Sequence, residues 1–274
     1  MAYKRILTIQ DISCVGQCSM TVALPILSAC GHETCILPTA LLSTHTGGFG
    51  KPAVMHSDEI LPQIVEHWRE NGIAFDAILV GYLGSVAAIE QTEAILDTML
   101  SPDGISIVDP AMADHGKLYS GFDEAYAKAM KQLCCRADVI LPNITEAAML
   151  SGNDYQDDLT EAYVCKLLTD LQHPRVILTG AAWREGETGI ALWEDGRVTY
   201  HSHRKLGKSF HGTGDMFAAA FTGALMQGLG FLEAVKAAAD FVCLSIENTI
   251  REPAHWYGVK FETALPSLIR QLRL

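Results

Sequence analysis

The chain has 274 residues, 49% of them hydrophobic, and sets 20 Lys and Arg against 32 Asp and Glu for a formal net charge of −12. That length buries a large core and suits one α/β domain over 1–274, while the acidic balance excludes general binding to nucleic acid or a membrane surface, which needs broad basic faces. No apolar stretch approaches the ~18 residues of a membrane span and no signal-peptide core follows the start, so a cytoplasmic protein is expected.

Short apolar or β-branched runs at Arg5–Ile9, Glu33–Pro38, Ala77–Val80, Ile105–Val108, Asp138–Leu141 and Val176–Thr179 read as buried strands. Between them, Cys18–Cys30, Ser57–Asn71, Val86–Leu100, Phe122–Cys134 and Leu159–Leu171 have the length and spacing of amphipathic helices. The alternation predicts an α/β fold with a central, mostly parallel sheet and helices on both faces. Beyond Thr179 the pattern changes. Gly189–Trp193 and Arg197–His203 read as two strands joined through Glu194-Asp195-Gly196, where Asp-Gly signals a hairpin. Thr213–Gln227 and Phe231–Ile250, apolar on most faces, read as buried helices, and Phe261–Leu272 as a closing amphipathic one. The glycine-rich stretch Leu41–Gly50 reads as a small flap.

Eight cysteines are scattered without a CxxC pair, which points to reduced core residues rather than a disulfide framework. Cys14 and Cys18 have the spacing of neighbours on a helix, but no second Cys/His pair completes a zinc site.

In open parallel sheets ligands sit beyond the carboxyl ends of the strands. Those positions are polar here: Gln10-Asp11, Gly81-Tyr82-Leu83-Gly84-Ser85, Asp109-Pro110 with Asp114, Asn143 and Glu146, and Thr179-Gly180. Asp109, Asp114, Asn143 and Glu146 form an oxygen-rich set suited to Mg²⁺, which prefers a few carboxylates plus substrate phosphates. Asn143-x-x-Glu146 before Ala147-Ala148-Met149-Leu150 also fits a helix-capping box, and the two roles are compatible. Asn143-Ile144-Thr145 matches a glycosylation sequon, an empty match in a cytoplasmic chain.

Gly212-Thr213-Gly214-Asp215 opens the apolar run Met216–Leu225. Two glycines let N–H groups converge, and a following helix adds its positive end, so the place suits a phosphate. Asp215 is unwelcome beside an anion unless it accepts a proton from a hydroxyl attacking a phosphoryl group; the alternative is an acidic helix cap. His201, His203, Arg204, Lys205, Lys208 and His211 crowd just ahead of the tetrad, either as a solvated strand edge or as support for a polyphosphate partner. Gly207-Lys208-Ser209 looks like the tail of a P-loop, but Ser202 stands where its first glycine belongs, which excludes that motif. His201 and His203 share a strand face without a third metal ligand.

Over nearly its whole length the chain resembles the pyridoxal/pyridoxamine kinases of the ribokinase-like superfamily. The resemblance rests on Ile9-Gln10, Leu42-Ser43-Thr44-His45-Thr46-Gly47-Gly48, Gly81-Tyr82-Leu83-Gly84-Ser85, Asp109-Pro110-Ala111-Met112, Pro142-Asn143-Ile144-Thr145-Glu146 and Gly212-Thr213-Gly214-Asp215, in that order and spacing. It implies ATP-dependent phosphorylation of the 5′-hydroxymethyl group of a vitamin B6 vitamer, in salvage of pyridoxal 5′-phosphate. Asp215 would be the base and Gly212, Thr213 and Gly214 the anion hole. Asp11, His45, Thr46 and Tyr82 would bind the substrate. Asp109, Asp114, Asn143, Glu146, Thr179 and Gly180, with Gly212 and Gly214, would surround ATP, and Asp109 and Glu146 would meet Mg²⁺ directly or through water. A monovalent cation such as K⁺ and a homodimer are common in the family.

Three departures mark this chain. Asp11 stands where these kinases usually have serine, and Ala113 replaces a usual glycine. His211 precedes the tetrad as in hydroxymethylpyrimidine kinases, whose string continues with cysteine at the position of Asp215. Asp11 therefore reads either as a partner for a protonated ring nitrogen or as an Asx-type cap on the first loop. A hydroxymethylpyrimidine kinase, alone or with dual activity, is the alternative function, and a non-catalytic vitamer-binding protein a further one.

Overall fold

The computed structural model describes residues 3–194, 196–207, 210–252 and 254–274. The chain forms two compact units, one built from the residues up to Ile105 together with Leu206–Leu274, the other from Ser106–Lys205.

The first unit opens with β1 (Arg5–Ser13), α1 (Met20–Ala29), β2 (Glu33–Leu42), β3 (Val54–His56), α2 (Leu61–Glu70), β4 (Phe75–Val80), α3 (Val86–Met99) and β5 (Leu100–Val108), whose last residues belong to the second unit. Its strands lie in the order β5-β4-β1-β2-β3. β1 pairs in parallel with both β2 and β4, and its Ile6, Leu7 and Ile9 are buried, as expected for a strand covered on both faces. β1 runs four residues beyond its predicted end, through an irregular register between Gln10 and Ile12, so Asp11 is a strand residue rather than part of a loop. β2 likewise runs on to Leu42 and pairs antiparallel with β3. The predicted flap is therefore the connection between two strands, and Leu41 and Leu42 belong to the sheet. β3 escapes prediction because its three residues are all exposed and carry no alternation.

The second unit continues with β6 (Ala113–Asp114), β7 (Lys117–Leu118), α4 (Glu124–Arg136), β8 (Val139–Ile140), α5 (Ile144–Ser151), α6 (Glu161–Asp170), β9 (Arg175–Thr179), β10 (Glu187–Glu194) and β11 (Arg197–Arg204). Its main strands run β11-β10-β9-β8-β5, parallel through β5, β8 and β9 and antiparallel from β9 outward. β10 and β11 pair as a hairpin, with Glu194 opposite Arg197; Asp195 of the predicted turn, like Lys208 and Ser209, lies outside the described residues.

The chain returns to the first unit with α7 (Thr213–Met226), α8 (Phe231–Ile250), a 3₁₀ turn over Phe261–Thr263 and α9 (Leu265–Gln271). The single closing helix expected over Phe261–Leu272 is thus interrupted: Pro266 sits in the first turn of α9, where a proline starts a helix more readily than it continues one. Pro62 sets the start of α2 at Leu61 in the same way. α7 packs against α1 and α8, and it can approach α1 closely because Gly223 has no side chain: a Cβ there would stand 2.5 Å from Cys30 Sγ. Cys14 and Cys18 are not helical neighbours as their spacing suggests; both lie in the connection from β1 to α1. All eight cysteines are free. Among the described residues no helix is long and apolar enough to cross a membrane.

Candidate active site

In the first unit the tetrad Gly212–Asp215 forms the start of α7, with Gly212 as its N-cap at φ 79° and Asp215 at the third helical position. Glycine is required at the cap. A Cβ on Gly212 would lie 2.0 Å from the Gln17 carbonyl oxygen, closer than any side chain tolerates, in a backbone conformation L residues rarely adopt. Asp215 Oδ2 accepts the Ser19 N–H at 2.8 Å across 196 residues of sequence. Asp215 as a residue is half-buried, and the protein around its carboxylate excludes enough water to push its pKa up to about 6. Burial is the leading cause; the Ser19 N–H opposes it, and the charge of Asp11 adds to it.

Asp11 is 3% exposed and lies in β1, where its N–H donates to the Tyr82 carbonyl at 3.2 Å. Its Oδ2 accepts from Ser13 Oγ at 3.1 Å, and the Ser19 hydroxyl bonds the same carboxylate. Burial raises its pKa despite those hydroxyls. Tyr82 is half-buried, and burial together with Asp11 raises its pKa. Gln10 is buried beside Gly81, its amide donating to Thr8 Oγ1 at 2.7 Å.

The connection between β2 and β3 folds onto the segment before the 3₁₀ turn. Phe49 packs on Trp256 with ring centroids 4.6 Å apart and planes tilted by 41°, and His45 lies edge-on to Phe49 at 5.0 Å. His45 is buried; its Nδ1 accepts the Gly47 N–H at 2.9 Å, and its ring lies 5.3 Å from that of His211. Burial and His211 lower the His45 pKa, so the ring is neutral near pH 7. Thr46 is exposed on the same connection. Gln17 ties the loop before α1 to the other end of the chain, donating to Glu262 Oε1 at 2.7 Å.

In the second unit Glu146 is 2% exposed and gathers three backbone donors: Met112 and Ala113 N–H on Oε1 at 2.9 and 3.3 Å, and Asn143 N–H on Oε2 at 2.9 Å. With Asn143 Oδ1 accepting the Glu146 N–H, this is a complete capping box at the start of α5. Asn143 Nδ2 donates to the Ala113 carbonyl at 2.8 Å, so one pair of side chains ties the loop after β5 to the helix. Burial first, with the charge of Asp114 as a smaller contribution, pushes the Glu146 pKa up to about 7. Asp109 accepts the Ala111 N–H at 3.2 Å, and Asp114 is exposed. Thr179 N–H donates to the Pro142 carbonyl at 3.0 Å, and Gly180 follows it, exposed. Among the described residues no three His, Cys, Asp or Glu side chains are gathered to hold a metal ion. Mg²⁺ with a nucleotide needs fewer protein ligands than that. Asp109 and Asp114 fit such a partial set, whereas both Glu146 oxygens already hold N–H groups and suit contact through water.

Two clusters are thus assembled, Asp11, Tyr82 and Asp215 in one unit and Asp109, Asn143, Glu146 and Thr179 in the other. Of the basic segment, His201, His203 and Arg204 lie on β11 and Lys205 directly after it, while His211 lies with the start of α7. Ser13, Ser19 and Gln17 were not singled out from sequence. Ser19, directly ahead of an apolar helical run, carries the one available signal, that of a helix cap.

The Asp215 shift has a consequence for stability. A carboxylate whose pKa is higher folded than unfolded contributes stability that is complete below the unfolded value, near 3.8, and is lost as pH rises through about 6. Asp215→Asn, which cannot ionise, is expected to gain on the wild type by about 1–2 kcal/mol between pH 4 and 7, the partial exposure limiting the effect. Urea unfolding of both proteins across that range measures it, and a constant difference would contradict the shift.

Residues 24–258 match the family described as phosphomethylpyrimidine kinase. The Haemophilus influenzae hydroxymethylpyrimidine/phosphomethylpyrimidine kinase is 30% identical over 186 residues, 66% of this chain and 68% of that one. A solved pyridoxal kinase from Lactobacillus plantarum superposes with a TM-score of 0.90 at 36% identity, covering 97% of both chains. A Bacteroides thetaiotaomicron protein, provisionally assigned as a phosphomethylpyrimidine kinase and crystallised with pyridoxal, gives 0.90 at 32% identity over 97% and 96%. With the expected ribokinase-like α/β architecture present and most of its length matched, the chain belongs to the phosphomethylpyrimidine kinase family.

Proposed function

We propose that the protein uses ATP to phosphorylate the 5′-hydroxymethyl group of a vitamin B6 vitamer. The observation that carries this reading is Asp215: a carboxylate, gripped on one oxygen by the Ser19 N–H, in the first turn of a glycine-opened helix suited to a phosphate. The similarity to a Lactobacillus pyridoxal kinase, and to a Bacteroides protein crystallised with pyridoxal, supports a pyridine alcohol as acceptor.

Asp215 accepts a hydrogen bond from the acceptor hydroxyl and aims its oxygen at the γ-phosphorus of ATP. As the new O–P bond forms, the bond to the bridging oxygen breaks and its electrons leave on ADP. In a loose transition state the hydroxyl stays protonated until late, and Asp215 takes the proton as the oxygen acidifies. The first N–H groups of α7, which lack helical acceptors, take up charge on the transferred group. His45, Thr46 and Tyr82 form the ring-binding side of this reading, while the buried Asp11 carboxylate is taken up by the Ser13 and Ser19 hydroxyls. Asp109, Asp114, Asn143, Glu146, Thr179 and Gly180 form the nucleotide side. Mg²⁺ accompanying the nucleotide would neutralise phosphate charge, held by Asp109 and Asp114 and, through water, by Glu146.

A second reading, hydroxymethylpyrimidine as acceptor, is favoured by the Haemophilus relative and by His211 ahead of the tetrad. A panel of pyridoxal, pyridoxamine, pyridoxine and hydroxymethylpyrimidine with Mg-ATP separates the two. The highest kcat/KM is expected on a vitamer. Turnover confined to the pyrimidine would replace the reading, and binding without turnover of any alcohol would leave a vitamer-binding protein.

A further inference from the structure

Ser19 precedes α1 with φ 52° and ψ −127°, a conformation L residues avoid and glycine tolerates. A serine in that place commonly turns its hydroxyl back to cap the helix; this one makes no such bond. Its polar groups go to the two carboxylates instead. The N–H donates to Asp215 Oδ2 at 2.8 Å, and the hydroxyl bonds Asp11, which also takes Ser13 Oγ at 3.1 Å. Asp11, Ser13 and Ser19 are all nearly inaccessible to solvent, at 3%, 1% and 5% exposed. A strained backbone that gives up its cap to join two acidic side chains is held by those bonds, not by local preference.

We propose that Asp11 is a positioning residue for the phosphoryl-transfer step: it anchors the Ser19 hydroxyl so that the strained Ser19 N–H fixes one oxygen of Asp215 and leaves the other for the acceptor alcohol. The inference rests on the reading of Asp215 as the base. A buried carboxylate beside the base is electrostatically costly. Its compensation is twofold. The two serine hydroxyls stabilise the Asp11 charge, and that charge makes Asp215 hold a proton more tightly, which strengthens it as a base. The other titratable groups facing the pair are Cys18, on the loop before α1, and Tyr82, after β4; burial and the carboxylates keep both neutral near pH 7. Of the titratable groups in this cluster, the two aspartates are therefore the ones whose ionisation falls on the acidic side of the pH profile.

Asp11→Asn keeps the shape and removes the charge. With the preferred alcohol and saturating Mg-ATP, its acidic limb in kcat/KM is expected to move down by about half a unit or more, and kcat to fall about 10-fold, with KM for ATP unchanged. Ser19→Gly relieves the strain and removes the hydroxyl, so it is expected to melt about 2 °C or more above the wild type while losing about 10-fold in kcat. Rising stability with falling activity is a result a merely structural serine would not produce. An unmoved acidic limb in Asp11→Asn, or wild-type kcat in Ser19→Gly, would overturn the proposal, and the second variant decides the matter if the first fails to fold. Asp215→Asn, assayed alongside, keeps the two levels apart: if it alone is inactive, the base stands and the positioning role falls, whereas if it too retains near-normal kcat, both fall.

Discussion

Asp215→Ala is expected to lower kcat by roughly 10²–10⁴-fold with little change in KM for ATP, the usual range for loss of a general base. A carboxylate at its ordinary pKa near ~3.9 is a weak base for an alcohol. Burial and Asp11 raise Asp215 to about 6, which narrows the mismatch by some two units, and late proton transfer covers the rest. The residual rate comes from groups that remain: the α7 N-terminus, the nucleotide-side residues and the alignment of the acceptor. Asp215→Asn should lose a similar factor, because it keeps the Ser19 N–H acceptor and removes only the proton-accepting charge. Steady-state kinetics with Mg-ATP and the best alcohol from the panel measure both variants. Near-normal kcat in Asp215→Ala would reject the assignment.

Glu146→Ala is expected to destabilise the protein by about 3–5 kcal/mol, the largest effect on stability among these variants, because it leaves two buried N–H donors and the half-buried Asn143 N–H without their acceptor. Loss of the buried charge refunds part of its desolvation, but water entering the gap cannot satisfy three fixed donors at once. Glu146→Gln should cost less. Its amide oxygen can keep the Met112 and Ala113 N–H groups, while its NH₂ meets the Asn143 N–H as donor against donor. The alanine variant should also raise KM for ATP, since the loop after β5 loses the Glu146 oxygen that ties its Met112 and Ala113 N–H groups to α5, whereas Glu146→Gln, which keeps that oxygen, should not. Urea unfolding checks the ranking, and a cost below about 1 kcal/mol for the alanine variant would show that the three donors find other partners.

The strand–helix alternation, the β10–β11 hairpin, the capping box at Asn143 and the helix opening at Gly212 were all legible in the residues. Each depends on contacts between positions a few residues apart, and on the periodicities of 2 and 3.6 that burial of one face imposes. The errors were local as well. β1 outran its apolar core because the parallel pairing with β2 continues past an irregularity into polar residues, which carried Asp11 into the strand. β3 had no buried face to betray it. Cys14 and Cys18 kept a helical spacing in a segment where Gly16 and the positive φ of Ser19 bend the chain.

For the chemistry, the division runs along sequence separation. Residue type alone supplied a carboxylate in a glycine-opened helix start and an Asn-x-x-Glu cap, because both are short-range devices. No local pattern could announce that Ser19 would hand its N–H to a carboxylate 196 residues away, that the Gln17 carbonyl would press on Gly212, or that Phe49 would pack on Trp256. Those juxtapositions arise when α1 and α7 pack together and β1 is set between β2 and β4. The shifted pKa values belong to the same level, since desolvation and the field of Asp11 exist only once the chain has closed around the carboxylate.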